Sequence, residues 1–114
     1  MKAITIRQPW ASLILVGKKT VEYRTWPCRH RGALAIHAGL FVDRDDCKRI
    51  GVDPAKLPRG RVLCIADMHD CVNLPRGLFG WKLRKVRKIR PVPARGLLGL
   101  WNWTVSRQSV KATS

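Results

Sequence analysis

The stretch QPWASLILVGKKTVEYRTW (residues 8–26) contains the signals for one helix and one strand. Pro9 suits the start of a helix, where its missing N–H would be unpaired in any case. Gly17 suits the end of that helix, because glycine readily adopts the left-handed conformation found there. The following TVEYRTW alternates as a strand does, which places the carboxylate of Glu22 and the guanidinium of Arg24 on one face. We therefore predict a helix, a glycine stop and a strand that presents two opposite charges side by side.

The positive charge of the chain is large and unevenly distributed. The 114 residues include 23 Lys and Arg against 7 Asp and Glu, a formal net charge of +16. Residues 1–42 carry seven basic side chains and one acid, residues 43–70 carry six of each, and residues 71–114 carry ten and no acid. This distribution is the electrostatic signature of a protein that binds a polyanion. It favours RNA or a nucleotide as the partner, with a highly charged surface that has no dedicated partner as the alternative.

The chain has the size and hydrophobic content of one small folded domain. At 114 residues and 46% hydrophobic composition, it is long enough for a single core. We predict one domain over residues 1–105, followed by a disordered tail over residues 106–114. No apolar run approaches the roughly 20 residues that cross a bilayer, and the N-terminus lacks the layout of a signal peptide. We therefore expect a cytoplasmic protein with no membrane partner.

Local patterns predict five or six strands and two helices. Besides the strand that follows Gly17, strands are predicted over residues 2–7, 33–38, 61–74 and 95–105. A second helix is predicted over residues 43–50, because Asp43 suits its N-cap and Gly51 its C-terminal end. Short strands separated by glycine and proline favour an α+β, mainly β protein that folds as a small barrel with two short helices beside it.

The segment KLRKVRKIR (residues 82–90) has apolar side chains at every third position. That period suits neither an ideal strand nor an ideal helix. Taken by itself, the segment favours a basic amphipathic helix. Pro91 and Pro93 are expected to end it, because proline interrupts regular structure.

The spacing of cysteine and histidine offers no clear metal site. Cys28, Cys47, Cys64 and Cys71 form no CxxC pair, so buried free thiols are expected. Cys28 and His30 could contribute to a metal site, but a second well-spaced pair is missing. We therefore predict no metal and no cofactor.

Two other histidines invite a catalytic interpretation. His37 lies on a predicted strand among small alanines, where we expect a hydrogen-bonded structural residue beside a bulky neighbour or an approaching ligand. Asp67, His69 and Asp70 lie just past the apolar part of another strand, where turn chemistry is the commoner role. Neither histidine is therefore placed in the candidate site.

An ordered set of short motifs resembles the ASCH domain family, a branch of the PUA-like β-barrels. The motifs are Gln8-Pro9-Trp10-Ala11, Gly17, Lys19-Thr20, Glu22, Arg24, Trp26, Ile36-His37-Ala38, Gly60-Arg61-Val62, Phe79-Gly80-Trp81, Pro91 to Pro93 and Gly96 to Trp101. They extend from residue 4 to about residue 105. The resemblance implies a PUA-like β-barrel of five or six strands, with the first helix beside a cleft. It also implies a bent or bulged strand, and not a helix, for residues 82–90.

A cleft that binds a nucleotide needs cations for phosphate, aromatic faces for the base and a few polar groups. We predict that this cleft is lined by Lys19, Glu22, Arg24 and Trp26, with Gln8 and Trp10 at its rim. Further binding candidates are Lys18, Trp81, Lys82, Arg84 and Lys85. Because one small domain contains five tryptophans, we expect most of them to pack in the core and one or two to be exposed.

Lys19 and Glu22 are the candidate catalytic residues. Some ASCH relatives bind RNA, and a small bacterial relative is an amidohydrolase that removes acyl groups from N4-acetylcytidine with a Lys, a Thr and a Glu. Lys19 matches that Lys, whereas Glu22 stands where the relative has its Thr. Other relatives are reported to act as nucleases, and there Glu22 would serve as general base beside Lys19 or Arg24.

Three functions therefore stay open. The leading hypothesis is an RNA- or nucleotide-binding domain with a basic cleft. The alternative is a hydrolase that uses the same cleft, either an N4-acetylcytidine-type amidohydrolase or a ribonuclease. The third is an interaction module whose basic surface docks on an acidic protein, although the sequence specifies no protein partner.

Overall fold

Six strands and two α-helices form most of the chain that the computed structural model describes, residues 1–104. In chain order they are β1 (Lys2–Gln8), α1 (Trp10–Leu15), β2 (Val21–Arg24), β3 (Gly32–Val42), α2 (Arg44–Ile50), β4 (Arg61–Asn73), β5 (Phe79–Pro93) and β6 (Leu100–Asn102). Two 3₁₀ turns, Pro54–Lys56 and Pro75–Gly77, connect strands in the second half. The predicted tail, residues 106–114, lies outside the described residues.

The strands form one sheet in the order β2-β5-β4-β3-β1-β6. β1 and β3 are parallel, and every other neighbouring pair is antiparallel. The α+β, mainly β class and the two short helices are therefore confirmed. Within residues 1–104 the edge strands β2 and β6 do not pair with each other, so the sheet is open and the predicted closed barrel is not confirmed.

The ends of both helices follow the local signals in the sequence. The side chain of Asp43 accepts a hydrogen bond from the backbone N–H of Asp46 (3.0 Å), which caps the first turn of α2. Gly51 ends α2 in the left-handed conformation (φ 78°). Gly17 has a similar φ of 79° just after α1. The predicted second helix and both glycine stops are confirmed.

Bulges in β5 explain the three-residue period of residues 82–90. Relative to β4, β5 contains extra residues at two places, and Lys85 at the first of them has a φ of 50°. Leu83 and Val86, on either side of the first bulge, pack against one hydrophobic cluster. Ile89 and Val92, around the second, pack against the other. Because a bulge shifts the alternation of a strand, Leu83 and Val86 return to the same face although they are three residues apart. Val86 and Ile89 are also three apart but pack on opposite faces, so the period does not mark a single face. The segment is a bulged strand, as the family resemblance implied, and not a helix.

Two boundaries in the C-terminal half differ from prediction. β5 continues past Pro91 instead of ending before it. β2 pairs only with the first four residues of β5, so the rest of β5 has a free edge, where prolines are tolerated. β6 is limited to Leu100–Asn102 instead of residues 95–105, because residues 94–99 form a loop.

Two hydrophobic clusters cover opposite faces of the sheet. The larger one includes Ile4, Ile36 and the fully buried Trp81. The smaller one includes Trp101 and Trp103. Three of the five tryptophans are thus buried, as expected for most of them. β3 and β4 lie between the two clusters, which accounts for their nearly continuous apolar sequence.

The buried His37 has a structural environment. Its Nδ1 lies 3.1 Å from Thr5 Oγ1, and its Nε2 lies 2.7 Å from the carbonyl oxygen of Ala94. The ring of Trp101 packs edge-on against it, with centroids 5.5 Å apart. The expectation of a hydrogen-bonded histidine beside a bulky neighbour is confirmed. The contact to Ala94 also ties the 94–99 loop to β3.

The thiol of Cys64 is expected to resist alkylation in the folded protein. Burial raises the pKa of Cys64 to about 12, and only the thiolate reacts rapidly. At about pH 8, Cys64 therefore stays protonated and unlabelled. Iodoacetamide labelling mapped by mass spectrometry checks this, with the partly exposed Cys71 as the internal control. Labelling of Cys64 before Cys71 would contradict the burial of the Cys64 side chain.

Candidate nucleic-acid-binding cleft

A cleft of about 680 Å³ lies between β1, β2, the start of α1 and the end of β3. β2 supplies Glu22 and Arg24, and the turn before it supplies Lys19. These are three of the four residues predicted to line the cleft. Trp10, at the start of α1, also lines it. The segment that follows the short helix therefore places Lys19, Glu22 and Arg24, the three polar residues predicted to line the cleft, in one concave surface.

The carboxylate of Glu22 is the centre of the polar group. Only 8% of this residue is exposed. Its Oε2 accepts hydrogen bonds from Nε (3.1 Å) and Nη2 (2.9 Å) of Arg24, and its Oε1 lies 3.5 Å from Nζ of Lys19. A charge removed from water needs such partners, because unpaired burial costs several kcal/mol. Two cations against one anion leave this group with a net positive charge.

Arg24 connects two strands that are far apart in the sheet. Its Nη2 also donates to the backbone carbonyl oxygen of Thr5 on β1, at 2.9 Å. β2 is at one edge of the sheet, whereas β1 is fifth in the strand order. The sheet must therefore curl until β2 approaches β1. The cleft is the space enclosed by this curl.

Aromatic side chains surround the polar group. Nζ of Lys19 lies 5.0 Å from the ring centroid of Tyr23 and 5.6 Å from that of Trp10. The guanidinium of Arg49 also lies over the Trp10 ring, 5.9 Å from its centroid. Tyr23 is 55% exposed, and Phe41, which also lines the cleft, is 60% exposed. Large exposed aromatic rings beside cations are suited to stacking against a planar ligand.

Sequence reasoning did not identify Tyr23 and Phe41 as cleft residues. Tyr23 alternates with Glu22 along β2, so strand periodicity alone predicts that its side chain lies on the opposite face from Glu22 and Arg24. It nevertheless reaches the cleft, because β2 is a short edge strand whose free side opens onto it. Phe41 lies on β3 beyond the predicted end of that strand at residue 38. Phe41 could have been placed on the strand only if the sequence had indicated that β3 continues to Val42.

Gln8 lies beneath the cleft, which corrects its expected place at the rim. It is fully buried, and its Nε2 donates to Oγ of Ser12 (2.8 Å) and to the carbonyl oxygen of Pro58 (2.9 Å). Its Oε1 accepts from the backbone N–H of Ser12 at 2.9 Å. This amide holds the start of α1 against the chain before β4. Its position therefore indicates a structural role.

Trp26 and Trp81 pack on each other instead of lining the cleft. Their rings meet edge to face with centroids 4.7 Å apart, and Nε1 of Trp81 donates to the carbonyl oxygen of Trp26 at 3.2 Å. Trp81 is fully buried, and Trp26 packs against the larger hydrophobic cluster. The lining of the cleft therefore includes the indole of Trp10 but not that of Trp26, which was predicted to line it. Lys18 is exposed but also lies outside the cleft lining.

The basic side chains of β5 form a separate surface. Lys82, Arg84 and Lys85 do not line the cleft. Arg84 donates to Oδ2 of Asp67 at 2.8 Å, and this bond holds the pKa of that carboxyl below its ordinary value. Lysine and proline on a free strand edge also discourage edge-to-edge pairing between molecules. The predicted site residues thus divide between the cleft, the core and β5, with Lys18 exposed between α1 and β2.

Within residues 1–104, no group of three or more His, Cys, Asp and Glu side chains is arranged to hold a metal ion. The helices described over the same range are too short to cross a bilayer. Besides Lys19, Glu22 and Arg24, the polar side chains of Thr5 and Arg7 on β1 line the cleft.

Comparison with known proteins identifies the family. The ASCH domain matches residues 4–91. The chain belongs to the ASCH domain family. It is 34% identical over 82 residues to activating signal cointegrator 1 from Mus musculus and to the same protein from Homo sapiens. Each match covers 61% of this chain but only 14% of the relative's length, so this ASCH chain corresponds to a small part of those proteins.

Solved structures support the same fold. The ASCH protein of Zymomonas mobilis is 17% identical, with a TM-score of 0.63, over 97% of this chain and 91% of that one. A mutant form of that protein is 18% identical, with a TM-score of 0.66, over 99% and 98% of the two chains. At these sequence identities, the structural similarity supports the fold and nothing about function.

Replacing Gln8 by Leu is expected to reduce stability without changing ligand affinity. The substitution leaves the Pro58 carbonyl and the Ser12 N–H without their partner, which costs about 1–3 kcal/mol. Urea unfolding measures the loss, with the exposed Lys18→Gln variant as a control that changes stability by less than about 0.5 kcal/mol. Unchanged stability together with weakened RNA binding would instead show that Gln8 contacts the ligand.

Proposed function

We propose that this ASCH domain binds single-stranded RNA or a nucleotide in the cleft. The main support is the ion-paired group of Lys19, Glu22 and Arg24, which is surrounded by exposed aromatic side chains. The net charge of +16 adds a general attraction for a polyanion. Single-stranded nucleic acid is bound by this combination of cations and stacking surfaces. An interaction module for acidic proteins would need the charge but not the aromatic lining.

Each part of the cleft has a role in this proposal. A base stacks on Tyr23, whose ring is more than half exposed, and the exposed ring of Phe41 adds apolar surface in the same cleft. A carboxylate oxygen can accept from more than one donor, so Oε1 of Glu22, which lies 3.5 Å from Nζ of Lys19, also accepts a hydrogen bond from an amino group of the base, as carboxylates do with cytosine. Arg24 uses Nε and Nη2 within the protein, so Nη1 is directed to a phosphate oxygen of the ligand, together with the ammonium of Lys19.

Hydrolysis in the same cleft is the second candidate. The 3.5 Å separation between Lys19 Nζ and Glu22 Oε1 favours it, because a cation and a carboxylate at one reacting group are the parts of a metal-free hydrolase. Against it, both carboxylate oxygens of Glu22 already have partners. A carboxylate held in this way is better arranged to orient its neighbours than to remove a proton.

Tyr23 provides the sharpest test of binding. Tyr23→Ala removes one stacking surface and is expected to weaken binding of a short single-stranded RNA by about 5- to 150-fold, since stacking contributes about 1–3 kcal/mol per base. Tyr23→Phe keeps the ring and is the matched control, with affinity close to wild type. Fluorescence anisotropy at two salt concentrations measures both variants, and affinity falls as salt rises. Equal affinities for Tyr23→Ala, Tyr23→Phe and wild type would contradict the proposal.

The same samples, run on a denaturing gel, separate binding from hydrolysis. Intact RNA after incubation with wild type supports the binding domain. Cleaved RNA with wild type and intact RNA with Glu22→Gln would establish the ribonuclease instead. Asp67→Asn, which alters a carboxylate on β4 in the same way, is the control for a general effect of removing negative charge.

A further inference from the structure

A second cleft adjoins the first. It has a volume of about 1080 Å³ and lies between the ends of β1 and β3 and the 94–99 loop. Thr5, Arg24, Gly39 and Leu40 line both clefts. The two clefts are therefore neighbouring parts of one groove, with the Arg24 guanidinium at their junction.

The wall formed by the loop is anchored to the sheet. A Cβ atom on Gly96 would lie 2.5 Å from Oγ1 of Thr5 and 2.8 Å from Cε1 of His37, so the loop backbone rests directly on these two residues. The hydrogen bond between His37 and the Ala94 carbonyl fixes the start of the loop. The loop that forms one wall of the second cleft is therefore fixed in place by the buried His37.

The loop presents apolar side chains to solvent at the side of this cleft. Leu97 is 58% exposed and Leu98 is 99% exposed, although both line the second cleft. Leu40, on the opposite wall, is also largely exposed. Exposed apolar side chains grouped around a groove indicate a binding surface. These uncharged, apolar side chains can pack against the face of a nucleobase.

Positive charge accompanies the apolar surface. Arg24 and Arg95 are the charged residues that line the second cleft. The cleft also includes Pro93, the last residue of β5. The second cleft thus lies between the first cleft and the C-terminal end of β5, whose exposed Arg87, Lys88 and Arg90 are nearby along the chain.

We propose that the second cleft binds the nucleotide adjacent to the one in the first cleft. The physiological ligand is then a single-stranded oligonucleotide, and not a free nucleotide. Arg24 and Arg95 contact the phosphates, the leucines of the loop cover a base, and the strand continues toward the basic edge of β5. This inference rests on the proposed function and specifies its ligand class.

The test compares ligands of two lengths. Adenosine 5′-monophosphate and pentaadenylate, and the matching uridine pair, are titrated into wild type and into the Arg95→Gln/Leu98→Ala double variant. Both residues are exposed, so the variant is expected to fold as wild type does. Lys56→Gln, on the 3₁₀ turn, is the matched control for loss of one exposed cation.

Wild type is expected to bind a pentanucleotide at least about tenfold more tightly than the monophosphate, because the longer ligand adds one base packed on the leucines and one phosphate contact. In the double variant, the affinity for the pentanucleotide is expected to fall about tenfold, and the affinity for the monophosphate is expected to stay unchanged. The salt dependence of pentanucleotide binding also falls, by a slope of about 0.7 for one lost phosphate contact.

Equal affinity of wild type for both lengths overturns the inference while leaving nucleotide binding in the first cleft intact. The same holds if the double variant binds the pentanucleotide as wild type does. Failure of wild type to bind any of the four ligands contradicts the proposed function itself. Binding of decaglutamate that is lost in the double variant, with pentanucleotide affinity unchanged, would also overturn the inference and assign the second cleft to an acidic peptide.

Discussion

The guanidinium of Arg24 is the contact on which the cleft depends. It binds Glu22 on its own strand and the Thr5 carbonyl on β1, and it lines both clefts. β2 is at the edge of an open sheet and has no backbone pairing with β1. The side chain of Arg24 connects these two strands instead. The same interaction keeps the buried Glu22 carboxylate paired. The shape and the charge of the site therefore rest on one planar side chain, whose Nε and Nη2 both donate to Oε2 of Glu22.

The sequence predicts those parts of this arrangement that depend on neighbouring residues, and it does not predict those that depend on contacts between distant parts of the chain. The alternation of β2 correctly placed Glu22 and Arg24 together, and capping residues set the limits of α2. Tyr23 and Phe41 were missed because their exposure depends on which strands lie at the edge and how far β3 extends. The burial of Gln8 was also missed, because its partner Pro58 is 50 residues away along the chain. Local periodicity carries no information about such contacts.

The excess positive charge is located mainly outside the cleft. The bulged edge of β5 carries consecutive basic residues because its apolar side chains occupy every third position and leave two exposed between them. Such an edge attracts a polyanion over a distance comparable to the Debye length, about 8–10 Å at physiological salt. The cleft supplies the local contacts. Long-range attraction and local recognition are thus assigned to different strands of one sheet.

The most direct measurement is a backbone amide NMR titration of the ¹⁵N-labelled protein with a short single-stranded RNA. The account predicts that the largest chemical-shift changes occur at the cleft, in residues 5–7, 19–24 and 39–41. Smaller and diffuse changes are expected along β5, since its cations contribute mainly long-range attraction. Changes confined to residues 83–90, with the amides around Glu22 and Arg24 unaffected, would show that the basic edge alone binds RNA and would contradict the account.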